Sequence, residues 1–200
     1  MSEVQLPTNL DVVIAHCSEE TRNTLCNGVG ELGHRVRIVC NSNQALLETC
    51  LDRAPDLIIS GIDLEDGDTV DTLIEISEKD PTPGIIVTPQ SSLLNVEEAL
   101  KDHVMAYLVE PIDEEQLKPT IYLVVERFKQ FEELHKEVEV LKDAMAARKV
   151  IERAKGILMS SQDIDESEAF RRLQKLSTTK RMKMVAVAEA VITAAELDKL

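Results

Sequence analysis

Between Lys142 and Lys183 the chain carries eleven Lys and Arg residues against six acidic ones. After Lys142 they fall into three groups. The first is Arg148, Lys149, Arg153 and Lys155, the second Arg171, Arg172 and Lys175, and the third Lys180, Arg181 and Lys183. Any one of these is an ordinary solvated charge, but together they suit contact with a phosphate backbone. Gly156 sits beside Lys155 inside a helical pattern, at a cost of about 1 kcal/mol relative to Ala. It marks a place where a neighbour or a phosphate can come close. Elsewhere the reactive residues do not combine. Cys17, Cys26, Cys40 and Cys50 contain no CxxC pair and no histidine cluster joins them, so reduced thiols are expected. His16 and Cys17 are adjacent soft donors without a second pair, short of a zinc pattern. Asp63, Glu65, Asp66 and Asp68 surround Gly67 and read as a solvated acidic loop. His34, His103 and His135 have no partner the sequence identifies. There is no phosphate-cradling glycine loop and no nucleophile elbow. A non-enzyme with no cofactor and no metal is expected.

The formal net charge of −15 argues at first against a nucleic-acid partner, but the average conceals a division. Residues 1–141 hold 10 Lys+Arg and 28 Asp+Glu, whereas residues 142–200 hold 12 and 9. The first part is therefore −18 and the second +3, the asymmetry expected of an acidic control domain joined to a basic binding domain. No apolar run approaches the roughly 18 residues of a membrane span, and no charged-then-apolar leader opens the chain. A cytoplasmic protein with no membrane partner is expected.

The elements that must position these residues are legible in turn. Val12–Ala15, Arg35–Cys40, Leu57–Ser60, Ile85–Thr88 and Ala106–Val109 are strand-length apolar runs. Helical stretches at Ser18–Leu32, Asn43–Asp52, Thr69–Lys79 and Leu94–Asp102 separate them. Short, continuously apolar strands alternating with helices imply a five-stranded parallel sheet covered on both faces, in a flavodoxin-like order. From Asp113 a long helix begins, with Pro119 placed near its first turn. Val124, Phe131, Val138 and Met145 fall at heptad position a. Leu134 and Leu141 fall at d, with Arg127 and Arg148 at the outer d positions. Phe131, Leu134, Val138, Leu141 and Met145 form a short seam for a homodimeric coiled coil, the alternative being packing within the chain. The end of the chain reads as three helices. The first carries Ala146, Val150, Ala154, Ile157 and Leu158 on one face and ends near Ser160-Ser161. The second is capped by Asp165 with Glu168 as its capping-box partner, and Ala169, Phe170, Leu173 and Leu176 face the core. The third starts after Thr178 or Thr179 and buries Met184, Val187, Ala188, Val191 and Ile192.

Two family resemblances sit on this frame. The run Arg148-x-x-Ile151-x-x-Ala154-Lys155-Gly156-x-Leu158-Met159 continues through Glu168-Ala169-Phe170-x-x-Leu173 and Val187-Ala188-x-Ala190-Val191-Ile192. It resembles the ANTAR domain, the RNA-binding module of transcription antitermination regulators. The resemblance implies binding to paired hairpins of a nascent transcript, so that a terminator hairpin cannot form, and dimerisation through the preceding helix. Because Phe170 is assigned to the core, recognition is expected to rest on hairpin shape, Arg planes and phosphate contacts. Residues 10–128 resemble a response-regulator receiver through Gly33-His-x-Val36, Pro55-Asp-Leu57, Thr88 and Ala106-Tyr-Leu-Val-Glu-Pro111. Receivers carry two metal-binding acids after the first strand, a phospho-accepting Asp at the end of the third, and a Lys before the final Pro. The matching residues here are His16 and Cys17, Gly61, and Glu110. Only Thr88 and Tyr107, the switch pair, remain. Without oxygen ligands for Mg²⁺ and without the cation, phosphoryl transfer loses its charge stabilisation. The resemblance thus implies a pseudo-receiver that takes no phosphate; Asp63 is the alternative acceptor. The expected organisation is a pseudo-receiver over 1–128, a coiled-coil linker over 129–145 and an ANTAR module over 146–200. A regulatory protein partner or ligand at the pseudo-receiver without RNA binding, or a DNA-binding regulator, are the competing readings.

Overall fold

The computed structural model describes residues 9–89 and 104–197. The expected helix at Leu94–Asp102 lies outside the described residues. The chain divides into two compact units, Met1–Glu132 and Glu133–Leu200.

In the first unit, β1 (Asp11–Ala15), β2 (Arg35–Cys40), β3 (Leu57–Gly61), β6 (Gly84–Pro89) and β7 (Val104–Glu110) form one sheet in the order β2-β1-β3-β6-β7. Every pairing in it is parallel. The alternation of side chains along a strand divides the core in two. Val12, Ile14, Leu57, Ile59, Ile85 and Val87 face α1 (Glu19–Glu31) and the start of α4 (Glu114–Gln162). Val13, Ala15, Ile58 and Ile86 face α2 (Asn43–Asp52) and α3 (Val70–Lys79). The aliphatic composition is sufficient because nearly all of these residues are completely buried. Burial of a Leu, Ile or Val side chain stabilises by about 1.5–3 kcal/mol.

The acidic loop is ordered structure. Asp63–Leu64 (β4) and Gly67–Asp68 (β5) pair as a small antiparallel hairpin. Asp66 accepts hydrogen bonds from the backbone N–H groups of Asn43 (2.6 Å) and Gln44 (3.1 Å), so it caps α2. These bonds hold its carboxyl below the usual Asp range. Asp68 accepts from Val70 N–H at 2.7 Å, at the start of α3. A carboxylate at a helix N-terminus satisfies otherwise orphaned donors; the four acids are exposed as expected, and the capping bonds add to that reading.

Helix α4 spans 49 residues and would measure about 73 Å if straight. Pro119 lies in its second turn, on the exposed side. One turn deeper than expected, it removes the N–H that would bond Glu115, and exposure leaves that carbonyl to water.

In the second unit, α4 is followed by α5 (Glu166–Lys180) and α6 (Met184–Leu197). Ala154, Leu158, Ala169, Leu173, Val187 and Ala188 form its buried core, with Val150, Ile151, Met184, Val191 and Ile192 packed around them. Asp165 caps α5 as expected, accepting from Glu168 N–H at 2.8 Å. The Glu168 carboxylate points instead to Arg172, at 3.2 Å, so the capping box is half made. Three expectations are corrected. Phe170 and Leu176 are each 42% exposed, and α6 begins at Met184, because α5 runs on to Lys180 and ends on a left-handed Arg181.

Candidate functional sites: a filled receiver pocket and a basic helical surface

At the C-terminal edge of the sheet, β1 delivers His16 and β3 delivers Gly61. Both are buried, and a Cβ built on Gly61 would stand 2.7 Å from His16 Cδ2 and 3.2 Å from Nε2. The imidazole therefore occupies the space into which any side chain at 61 would project. His16 Nδ1 accepts a hydrogen bond from Ser18 N–H at 3.1 Å. In the neutral ring that leaves the proton on Nε2, which faces Glu110 Oε1 at 3.6 Å. Burial pushes the His16 pKa below its ordinary value, outweighing the attraction of Glu110. Glu110 also accepts from the Thr21 hydroxyl at 2.8 Å, and the Glu110–Pro111 bond is cis. Arg22, which the sequence reading passed over, donates from Nη1 to the carbonyls of His16 (2.5 Å) and Cys17 (2.9 Å).

The remaining pocket residues are more dispersed. Cys17 is exposed and free. Thr88 is fully buried and donates to the Pro89 carbonyl at 3.3 Å. Tyr107 is half-buried; its hydroxyl has no hydrogen-bond partner among the described residues, and burial, with Asp68 nearby, pushes its pKa up. Asp63 is exposed. Beside the pocket lies an open cleft of about 620 Å³ whose walls include Glu20, Thr21 and Glu110 and no Lys or Arg. Among the described residues no group of three His, Cys, Asp or Glu could hold a metal ion. The chemistry on offer at this edge is that of a neutral imidazole between a carboxylate and a guanidinium.

The basic residues of the second unit divide by whether they are already paired. Lys155 is only 6% exposed, and its ammonium lies 2.8 Å from Glu152 and 2.6 Å from Glu166. Those two carboxylates hold its pKa above the ordinary Lys value. In the chain as it stands Lys155 ties α4 to the first turn of α5. Arg153 pairs with Glu196 at 2.7 Å. Arg171 and Arg172 share Glu168, and Arg172 also donates to Gln162. By contrast Arg148, Lys149, Lys175, Lys180, Arg181 and Lys183 are all exposed and make no ion pair with a described residue. Four of these six fall within nine residues spanning the end of α5 and the start of α6. A Cβ at Gly156 would meet nothing within 4 Å, so among the described residues no neighbour uses that gap.

Along α4 the heptad seam is bare. Leu134 is 62% exposed, Val138 45%, Leu141 56% and Met145 63%.

A parallel five-stranded receiver sheet, a long helix and a small helical module define a regulator with an effector domain. The receiver-domain family of response regulators matches residues 12–122, and the ANTAR domain matches residues 139–192. The chain belongs to the response regulators that carry an ANTAR domain, a regulatory and not an enzymatic family. The "Transcriptional regulatory protein PdtaR" of Mycobacterium tuberculosis is 33% identical over 181 residues, covering 90% of this chain and 88% of that protein. A nitrate regulatory protein of Klebsiella oxytoca is 36% identical over 76 residues, 38% of this chain and 19% of its own. Among solved structures, NtrX from Brucella abortus superposes with a TM-score of 0.59 at 19% identity, covering 64% of this chain and 29% of that one. A receiver domain of a modulated diguanylate cyclase from Desulfovibrio desulfuricans gives 0.56 at 21%, covering 61% and 98%. At such identities the likeness is one of fold. Among the described residues no helix is long and apolar enough to cross a membrane.

Proposed function

We propose that this chain is a cytoplasmic transcription antitermination regulator that binds hairpins in nascent RNA through its ANTAR module, under a pseudo-receiver that works without phosphorylation. The observation that carries the RNA reading is the set of six exposed, unpaired cations at Arg148, Lys149, Lys175, Lys180, Arg181 and Lys183. Cations already neutralised by carboxylates release no counterions on binding a polyanion, whereas unpaired ones do. Phe170, exposed on α5 beside Arg171, adds a face on which an unpaired base can stack. Its exposure replaces the expectation of recognition without an aromatic. The family and the printed description of the Mycobacterium relative both favour a transcriptional role.

The receiver reading rests on His16 over Gly61. The position of the phospho-accepting Asp lacks a side chain and has no room for one, and the neighbouring carboxylate, Glu110, repels a phosphoryl group. Control then passes through protein contacts at the first unit and through pairing of two chains along the α4 seam. The working division is 1–128, 129–145 and 146–200. Crosslinking in cells followed by sequencing of the bound nucleic acid tests the function directly. Recovery of transcript leader hairpins is expected. Recovery of duplex DNA supports a DNA-binding regulator, and recovery of neither leaves a protein-interaction or ligand-sensing role.

A further inference from the structure

The seam that would join two copies ends in an unusual way. With Val138 and Met145 at a and Leu134 and Leu141 at d, position g is Glu137 and the following e positions are Lys142 and Lys149. In a parallel, in-register pair, g of one helix faces e of the other five residues further on. Glu137 of each copy then meets Lys142 of the other, two opposite-charge contacts. An antiparallel pair about the same centre sets Glu137 against Glu137 and Lys142 against Lys142. Lys142 is bonded within its own helix to Glu139 at 2.9 Å, but the two side chains are 67% and 59% exposed. Exposed pairs of this kind contribute little, so Lys142 is readily re-partnered.

The next d position is Arg148, and the next a position, Glu152, is already bonded to Lys155 at 2.8 Å. Arg148 and Lys149 are exposed and make no ion pair with a described residue. Paired helices lie about 8–10 Å apart, close to the Debye length of about 8 Å at physiological salt. Two Arg148 and two Lys149 brought to that spacing repel one another incompletely screened, and the neighbouring carboxylate, Glu152, is already shared with Lys155. An anion with several charges resolves this. The guanidinium fork matches phosphate oxygens in two-point contacts.

We infer that two copies pair in parallel along this seam, and that Arg148 and Lys149 of both copies form one four-cation site for a phosphate backbone, incomplete in either chain alone. This rests on the seam dimer proposed above and adds its orientation and a ligand site. Dimerisation and polyanion binding are then thermodynamically linked, each strengthening the other.

The full-length chain tests it in two arms. By analytical ultracentrifugation, Glu137→Lys and Lys142→Glu should each weaken the dimer, and the double variant should restore it. In an antiparallel dimer neither single variant changes the balance of like charges and the double restores nothing, which would overturn the orientation. In the second arm Arg148→Leu extends the apolar seam. Without ligand it should tighten the dimer about tenfold or more. At the same time it should weaken binding of a fluorescent two-hairpin RNA and of inorganic polyphosphate, flattening the log–log salt slope by roughly 1.4–1.8, two phosphates' worth. Unchanged polyphosphate binding sinks the four-cation site. If polyphosphate responds and RNA does not bind at all, the site stands and the RNA reading fails. A chain that stays monomeric in every variant removes the seam dimer and this inference with it.

Discussion

His16 and Gly61 exclude one another's alternatives, because a side chain at 61 cannot enter while the ring stays. Intact-mass analysis after treatment with acetyl phosphate and Mg²⁺ should therefore show no added phosphoryl group; a stoichiometric adduct on Asp63 would count against the pseudo-receiver. Gly61→Ala should cost about 1–3 kcal/mol in urea unfolding, as overpacking does. Combining it with His16→Ala should recover part of that loss, whereas strict additivity would show that the ring is not the obstacle. The same ring sets a pH dependence. Burial lowers the folded-state pKa of His16 and of His34 below the unfolded value near 6.5. The unfolded chain thus binds more protons, and stability complete above about pH 6.5 falls as pH drops toward the folded values. Unfolding midpoints that do not move between neutral and mildly acidic pH in the receiver would contradict this. The residue types in the pocket were legible in the sequence, since strand ends fix position. Occupancy was not, because nothing in the string says that a ring at 16 lies over position 61. The pairing of Lys155 was hidden for a related reason. Glu152 stood three residues before it on the same helix face, but Glu166 reaches it only after the chain reverses. Phe170 follows Ala169 by about 100° around the helix. The core took the line through Ala169 and Leu173, leaving Phe170 at its edge.

Among the elements, each strand of the five-stranded sheet and each helix that falls on described residues was readable to within a few positions, because continuous β-branched runs and 3.6-residue stripes have few alternatives. The boundary that moved is one set by backbone detail: α5 is prolonged to a left-handed Arg181. The small β4–β5 hairpin was unreadable, since two-residue strands carry no pattern. Helix α4 is the element that the proposed control would use. Up to Val125 it is anchored to the sheet by Leu117, Ile121 and Val124, and from Leu134 to Met145 its seam is bare. Exposed apolar side chains at heptad spacing have no reason to persist as a straight helix in water unless another helix covers them. Leu134→Asp or Leu141→Asp should convert a dimer into a monomer by sedimentation, with helical content largely kept. An unmodified chain already monomeric at tens of micromolar, without RNA, would remove the case for the seam.

At the scale of the whole molecule, an acidic control unit is joined to a basic effector, and the two act oppositely on a polyanion. If the proposed RNA binding holds, the −18 of residues 1–141 opposes the approach of the polyanion over long range, whereas the exposed cations of the effector attract it at contact. Affinity should therefore be strongly salt-dependent. If about five phosphates are neutralised, log K should fall with log salt at a slope of roughly −3.5 to −4.5. The structure separates which cations set that slope. Lys180→Ala and Lys183→Ala remove exposed, unpaired charges, so each should weaken binding and flatten the slope by roughly 0.7–0.9 per phosphate lost. Lys155→Ala should behave otherwise. It strips the cation from between Glu152 and Glu166, leaving two carboxylates to repel across the α4–α5 junction. The effector unit should then melt at lower temperature, while at temperatures where it stays folded the slope should be nearly unchanged. Phe170→Ala should do neither, lowering affinity by about 1–3 kcal/mol through lost stacking with no change in slope. The three signatures are distinct: slope, melting temperature, and affinity alone. A Lys155→Ala variant that keeps its melting temperature and flattens the slope as Lys180→Ala does would mean that Glu152 and Glu166 release Lys155 to RNA.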